Sequence, residues 1–204
     1  MLKAHSSCQS AYNRGVSNQE ASSLAGHFLI AMPGLTHPPF ARGVVLLCRH
    51  DSKGTIGLLV NQLSDLCLGD VLAQTGLPCR IPSLIERPVL IGGPLQQERG
   101  FVLHLEHGPW NTSYRINDTW SVTTSRDILE ALAIGQGPHK MLVVLGYTGW
   151  AAGQLEQELC DNSWLTVKSS EQIVFDTLLE NRWNAAIGLI GIDPLQIPDY
   201  TGHV

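Results

Sequence analysis

From residue 27 onward the chain alternates short apolar runs with glycine, proline and small polar residues. Residues 27–32 (HFLIAM) stop at Pro33-Gly34, which predicts a strand and then a turn. In Thr36-His37-Pro38-Pro39 the residue before each proline is pushed out of the helical region, so a loop follows. Residues 42–50 are rich in Val and Leu and predict a buried strand. Asp51-Ser52-Lys53-Gly54 is turn chemistry, and residues 55–61 (TIGLLVN) return as the second strand of a hairpin. Leu66, Val71 and Leu72 share one face of a short helix over 66–75, with Gly76 placed to end it. Residues 78–88 read as an irregular connection.

Further strands are predicted at 89–92, 100–106, 114–116 and 120–123. Gly92-Gly93-Pro94 stops the first, and Asn117-Asp118 makes a tight turn between the last two. Thr124 can cap a helix over 125–134, with Asp127 three residues on and Ile128, Leu129 and Leu132 as its apolar face. Residues 140–145 (KMLVVL) predict a central strand. Gly146-Tyr147-Thr148-Gly149-Trp150 predicts a turn that opens a helix over 153–160, and 164–167 a late strand. Residues 170–190 read as mostly helical, broken by Asp193-Pro194 and Ile197-Pro198, and no internal repeat is visible.

This succession predicts one α/β domain over residues 25–204. Residues 1–24 show no sustained period of 2 or 3.6, so a flexible tail is expected, or a loosely docked helix around 18–24. The length of 204 residues suits one core, and 44% hydrophobic residues are enough to fill it. Charged residues make up only 15%, against a typical ~25%. The net charge of −5 counts against a dedicated nucleic-acid binder, whose affinity rests on phosphate neutralisation. No apolar run is long enough for a membrane span, and the first two dozen residues lack the apolar core of a signal peptide. Cys8, Cys48, Cys67, Cys79 and Cys160 are scattered and form no C-x-x-C pair, so free thiols in a cytoplasmic location are expected.

The candidate chemistry is sparse. His104 and His107 suggest a metal pair, but residues three apart on a strand point to opposite faces, so structural or surface histidines and no metal are expected. The 146–150 segment lacks the second glycine of a nucleophile elbow, since Trp150 stands there. It is either a turn whose Tyr147 and Trp150 pack, or backbone N–H groups aimed at an anion. Gly92-Gly93-Pro94 permits close backbone approach but matches no phosphate-loop or dinucleotide pattern. Glu156 and Glu158, two apart on a helix, face different sides and make no acid/base pair, so a solvated helix face is expected. Cys48 is either a buried inert thiol or a redox-sensing one.

One set of segments is similar to a known family. His27 through Pro33, Phe40 with Arg42, Cys48-Arg49-His50, Gly54, Gly57 and Val60-Asn61 resemble the opening of the bacterial YqgE/AlgH family. Gly92-Gly93-Pro94, Gly100 through His104, Thr123-Thr124-Ser125 with Asp127, and Leu145-Gly146-Tyr147 through Trp150 continue the match. Gly153 through Glu156, Glu158, Asn162 through Leu165, Arg182-Trp183 and Gly191-Ile192-Asp193 close it. Members carry an acid near position 37 or 38, where this chain has His37-Pro38, and Glu-His-Asn where it has Arg49-His50-Asp51.

The resemblance implies an α/β fold with a mixed, mainly antiparallel sheet curled into a partial barrel and helices packed around it. It also implies a regulatory role in exopolysaccharide (alginate) and virulence gene expression. A shared surface cleft is expected to draw on Gly92, Gly93, Pro94, His104, Tyr147, Trp150, Asn162 and Trp164; in the other reading these glycines and aromatics hold the sheet together. No catalytic set and no cofactor are expected. The leading expectation is a regulatory or binding protein acting through a protein or small-molecule partner. Next comes an enzyme, or a redox-sensing protein, with a site near Gly146–Trp150 helped by His50 or His104. A direct transcription factor ranks last, because 13 Lys and Arg form no basic helix.

Overall fold

The computed structural model describes residues 23–105 and 107–192. The tail expected over residues 1–24 falls almost wholly outside the described residues, as do Glu106 and the proline breaks after residue 192.

Ten strands form the mixed sheet: β1 (His27–Ala31), β2 (Val44–Asp51), β3 (Gly54–Leu59), β4 (Leu63–Cys67), β5 (Pro88–Ile91), β6 (Leu95–His104), β7 (Ser113–Arg115), β8 (Ser121–Thr123), β9 (Met141–Trp150) and β10 (Trp164–Lys168). The helices are α1 (Leu68–Gln74), α2 (Pro82–Ile85), α3 (Arg126–Ala133), α4 (Gln154–Cys160), α5 (Glu171–Phe175) and α6 (Arg182–Gly188), with a 3-10 turn at Leu179–Asn181. The main path runs β10-β1-β2-β3-β9-β6-β8-β7, and β4-β5 joins through β9. Every pairing is antiparallel except β5 with β9. The sheet curls into a half-barrel, as the resemblance implies.

The hairpin is in place, with Asp51 opposite Gly54 across a two-residue turn. The continuous apolar runs have a physical reason. Strand alternation sends Phe28 and Ile30 of β1, and Val44, Leu46 and Cys48 of β2, into one core with Trp183 and Ile187 of α6. It sends Leu29 and Ala31, with Val45 and Leu47, into a second core under Leu155 of α4. A third core lies where α1 and α3 cover Val89, Val102, Met141 and Val143. With both faces covered, a strand has little room for a charged side chain.

Several predicted elements shift. Segment 66–75 splits into the end of β4 and the helix α1. The helix closes as expected at Gly76, φ +72°, with Leu77 N–H donating to Leu72 O at 2.8 Å. Residues within 78–88, expected to be irregular, contain the short helix α2 with Pro82 at its first turn. The N-cap of α3 is Ser125 rather than Thr124. Ser125 Oγ donates to Asp127 Oδ1 at 2.5 Å. Burial opposes ionisation of Asp127, but this bond and the N–H groups of Asn111 and Ile128 hold its carboxyl below the usual range. The expected helix over 170–190 is three short pieces, because Leu178 is extended, with φ −55° and ψ 142°.

The largest correction concerns residues 146–150. They continue β9 as a strand and do not form a turn. The first half of β9 lies between β5 and β6, with Val143 opposite Val89 and Val102. The second half pairs with β3, Thr148 opposite Gly57 and Trp150 opposite Thr55. The switch falls at Gly146, whose φ is +72°. Gly92 N–H donates to Leu145 O at 2.8 Å, and Gly92 O accepts from Leu59 N–H at 2.8 Å, which ties β5, β9 and β3 together there. The backbone N–H groups read as a possible anion site are thus at a junction inside the sheet.

A Cβ at Gly146 would lie 2.6 Å from Gly93 O and 2.8 Å from Leu95 O, both backbone atoms that cannot move aside. Gly153 also has a left-handed φ, +77°, yet nothing lies within 4 Å of its Cβ position. Gly146→Ala is therefore expected to destabilise the fold by more than about 2 kcal/mol, and Gly153→Ala by about 1 kcal/mol. Equilibrium urea unfolding of the two variants measures the difference, and equal losses would refute the steric account.

Candidate functional site

The residues singled out in the sequence separate into three groups. Gly92 and Gly93 lie against the β9 backbone at Gly146 and Tyr147, close enough that a Cβ on either would meet backbone atoms. Pro94 follows them, and Tyr147 packs edge-on against Phe101 with ring centroids 5.9 Å apart. Trp150, Asn162 and Trp164 form a second group around α4. The indole N–H groups of Trp150 and Trp164 both donate to Glu158 Oε2 at 2.8 Å. Their rings meet edge-on at 5.9 Å, and Phe40 adds a third aromatic 5.7 Å from Trp164. Asn162, with φ +56°, makes the turn from α4 into β10 and is exposed. His104 stands apart at the end of β6, fully buried, with Nε2 2.9 Å from Thr123 Oγ1.

Local structure explains each placement. Trp150 ends β9 and Trp164 begins β10, while Glu158 lies on the intervening helix α4. One carboxylate oxygen satisfies two nearly buried indole donors, and Gln154 Nε2 donates to the other oxygen at 2.9 Å. Glu158 was expected to be part of a solvated helix face; it is the polar anchor of an aromatic cluster instead. Strand β6 stops at His104, so alternation does not extend to His107. Both rings reach β8: His107 Nδ1 lies 2.6 Å from Ser121 Oγ, on the same strand as Thr123. Each histidine thus has its own hydroxyl. Among the described residues no three His, Cys, Asp or Glu side chains gather as a metal would require.

His50 and Cys48 lie on β2. His50 Nδ1 accepts the Leu24 N–H at 3.1 Å. Nε2 must then carry the proton, which it donates to Glu156 Oε1 at 2.9 Å. Both ring nitrogens are engaged. Cys48 is the extra residue of a bulge, where Leu47 faces Gly57 and Arg49 faces Ile56. It is 4% exposed. Its thiol donates weakly to Leu46 O at 3.7 Å, and burial pushes its pKa up to about 12. Such a thiol carries almost no thiolate at neutral pH.

A concavity lies elsewhere. A cleft of about 280 Å³ opens where β5 and β9 begin. Arg87, His139, Lys140 and Arg182 line it, with Asp176 and the ring of Phe175. These residues come from separate segments: the β4–β5 connection, the approach to β9, the end of α5 and the start of α6. No local spacing marks them in the sequence. The one available signal is Arg182, a charged residue in an otherwise apolar helical pattern.

The AlgH-like family model matches residues 28–195, which is most of the chain and includes the cleft and all three groups. The chain belongs to the AlgH-like family. A UPF0301 protein of Xanthomonas campestris pv. campestris is 51% identical over 180 residues, covering 88% of this chain and 96% of the relative. A UPF0301 protein of Stenotrophomonas maltophilia is 50% identical over 183 residues, covering 90% and 97%. The solution structure of the AlgH protein from Pseudomonas aeruginosa superposes with TM-score 0.74 at 38% identity, over 93% of this chain and 100% of that one. The crystal structure of DIP2367 from Corynebacterium diphtheriae shares the fold at TM-score 0.65 and 21% identity, over 95% and 97%. This AlgH-like chain carries no helix long and apolar enough to cross a membrane among its described residues.

Two predictions follow the contacts above. Glu158→Ala leaves two buried indole donors without an acceptor and is expected to cost about 2–4 kcal/mol in urea unfolding. Glu158→Gln keeps an amide oxygen and should recover more than half of that; equal loss in both would mean that the acceptor is not the cause. Cys48 tests the burial. Its folded pKa of about 12 lies above its ordinary value of 9.0, so the unfolded chain loses the proton first as pH rises. Its contribution is complete below pH 9 and is lost as pH rises toward 12. Between those limits the stability of the wild type relative to Cys48→Ala should fall by about 1.4 kcal/mol per pH unit. Parallel stability curves for the two proteins would refute it.

Proposed function

We propose that this chain is a regulatory binding protein of the bacterial cytoplasm, acting through a protein or small-molecule partner and linked in that way to control of exopolysaccharide and virulence genes. The carrying observation is the engagement of its reactive side chains in holding the fold. A general base needs a free lone pair within reach of a substrate. The lone pair of His50 is taken by Leu24 N–H, and its proton is directed at Glu156. His104 is spent on Thr123, Cys48 is a buried thiol, and Glu158 binds two tryptophans.

Action through a partner fits the charge distribution better than direct DNA contact. Among the described residues, each of the six helices carries at most one Arg or Lys, whereas a recognition helix presents several. In the regulatory reading, occupancy by the partner changes what the protein does next, and no substrate is converted.

Two measurements test this. A gel shift at low salt with total genomic fragments is expected to show no retardation at micromolar protein, and a retarded band competed by specific sequence would overturn the indirect role. Native mass spectrometry of freshly purified protein is expected to show a retained small molecule or protein partner. Only the bare mass of the chain, from a preparation made under gentle conditions, would count against the proposal.

A further inference from the structure

The cleft at the start of β5 and β9 collects positive charge in an acidic protein. The chain has 13 Lys and Arg against 18 Asp and Glu. Yet Arg87, Lys140 and Arg182 line this one cleft, with His139 beside them, and Asp176 is the single carboxylate on the described wall. Lys140 Nζ is 3.6 Å from Asp176 Oδ2, a loose contact between two half-exposed groups that is worth little by itself. Arg87 Nη2 makes only a long bond, 3.4 Å, to His139 O.

Arg182 is the unusual member. It is 5% exposed, and among the described residues no carboxylate pairs with it. Its Nε donates to Thr177 O at 3.1 Å and its Nη1 to Val60 O, both backbone carbonyls. Nη2 has no hydrogen-bond partner among the described residues. Burial lowers the guanidinium pKa to about 10, which still leaves it charged at neutral pH. A buried cation without a counter-ion is costly, and an anion brought against it repays part of that cost. The two carbonyl bonds also fix the guanidinium plane in advance, so little side-chain entropy remains to be lost on binding.

We propose that this cleft binds the phosphoryl group of a small molecule, with Arg182 fixed at its wall and Arg87 and Lys140 closing on the anion from the exposed side. The site is small enough to exclude a polymer from its interior. Half-buried Phe175 and exposed Pro88 on the same wall give an attached organic group an apolar surface. This rests on the reading of the chain as a binding protein and gives that reading a site and a ligand class.

Arg182 also ties α6 to β3 through Val60, so the cations to substitute are the more exposed Arg87 and Lys140. The full-length chain is titrated by calorimetry with inorganic phosphate, ribose 5-phosphate and unphosphorylated ribose at constant ionic strength. Saturable binding of both phosphates and none of ribose is expected. The double variant Arg87→Ala, Lys140→Ala should melt close to the wild type and bind about tenfold more weakly or worse. Arg115→Ala, which removes an exposed cation paired with Asp118, should bind as the wild type does. Tighter binding of ribose 5-phosphate than of phosphate identifies an ester as the ligand, and equal affinity identifies free phosphate. No saturable binding at millimolar phosphate, or binding unchanged in the double variant, overturns the proposal. Phosphorus NMR of the same samples separates this from the non-catalytic reading. Intact ribose 5-phosphate supports binding without turnover. Release of inorganic phosphate from it would keep the cleft and its ligand class and overturn the non-catalytic role.

Discussion

Strand β9 can serve two sets of neighbours only because its backbone bends at Gly146. Before that residue it is the parallel partner of β5; after it, β3 takes the same edge. The bend requires a left-handed φ, and Gly92 and Gly93 press against the outside of it so closely that no side chain fits on any of the three. Three glycines at one crossing cost backbone entropy on folding. The return is a sheet that curls and so encloses one core while two others are built on its outer faces. Had β9 run straight, β3 and β5 would compete for the same hydrogen-bonding edge.

This constraint also accounts for the chain's low charge. Strands packed on both faces have no solvent side, so β1 and β2 read as unbroken apolar runs and polar groups are confined to strand ends and connections. Several polar groups that enter the interior are paired. Asn61 brackets β2 by accepting Val44 N–H and donating to Arg42 O, each at 2.8 Å. Trp183 Nε1 donates to Ala31 O, and Trp120 Nε1 to Ser169 Oγ. The tryptophans thus bind the curled sheet together through polar edges as well as apolar faces.

Most strands could be read from the sequence because two-sided burial leaves an unambiguous apolar run closed by Gly or Pro. The family resemblance supplied the curl, which periodicity alone does not encode. Among the strands missed or cut short, two have identifiable reasons. In β4, Ser64 and Asp65 break the apolar run, and the strand holds its place through Ser64 Oγ, which donates to Val89 O at 2.8 Å. In β9, Gly146 and Gly149 look like a turn. A glycine within a strand can equally mark a bend where another backbone comes close, and only the arrival of Gly92-Gly93 distinguishes the two. The candidate site was less legible. The chosen glycines and tryptophans do cluster, but in separate places, and the tryptophans converge through Glu158, a residue read as solvated. Arg87, Lys140 and Arg182 share no period or motif; their meeting is a property of topology.

That topology matters for how the molecule meets a ligand. A chain of net charge −5 repels small anions at long range. The field near the cleft has the opposite sign because three cations stand within one concavity while most acids lie elsewhere. At physiological ionic strength screening removes most of the distant repulsion within about 8 Å. What remains is the local field, strongest beside the guanidinium that the fold has withdrawn from water. Arg182 is held there by carbonyls of β3's end and the α5–α6 connection. The cation at the cleft therefore depends on the junction that β9 creates: when β3 and β5 keep their places along that strand, Val60 is in position to hold the guanidinium, and any loosening of the bend would be felt at the cleft wall.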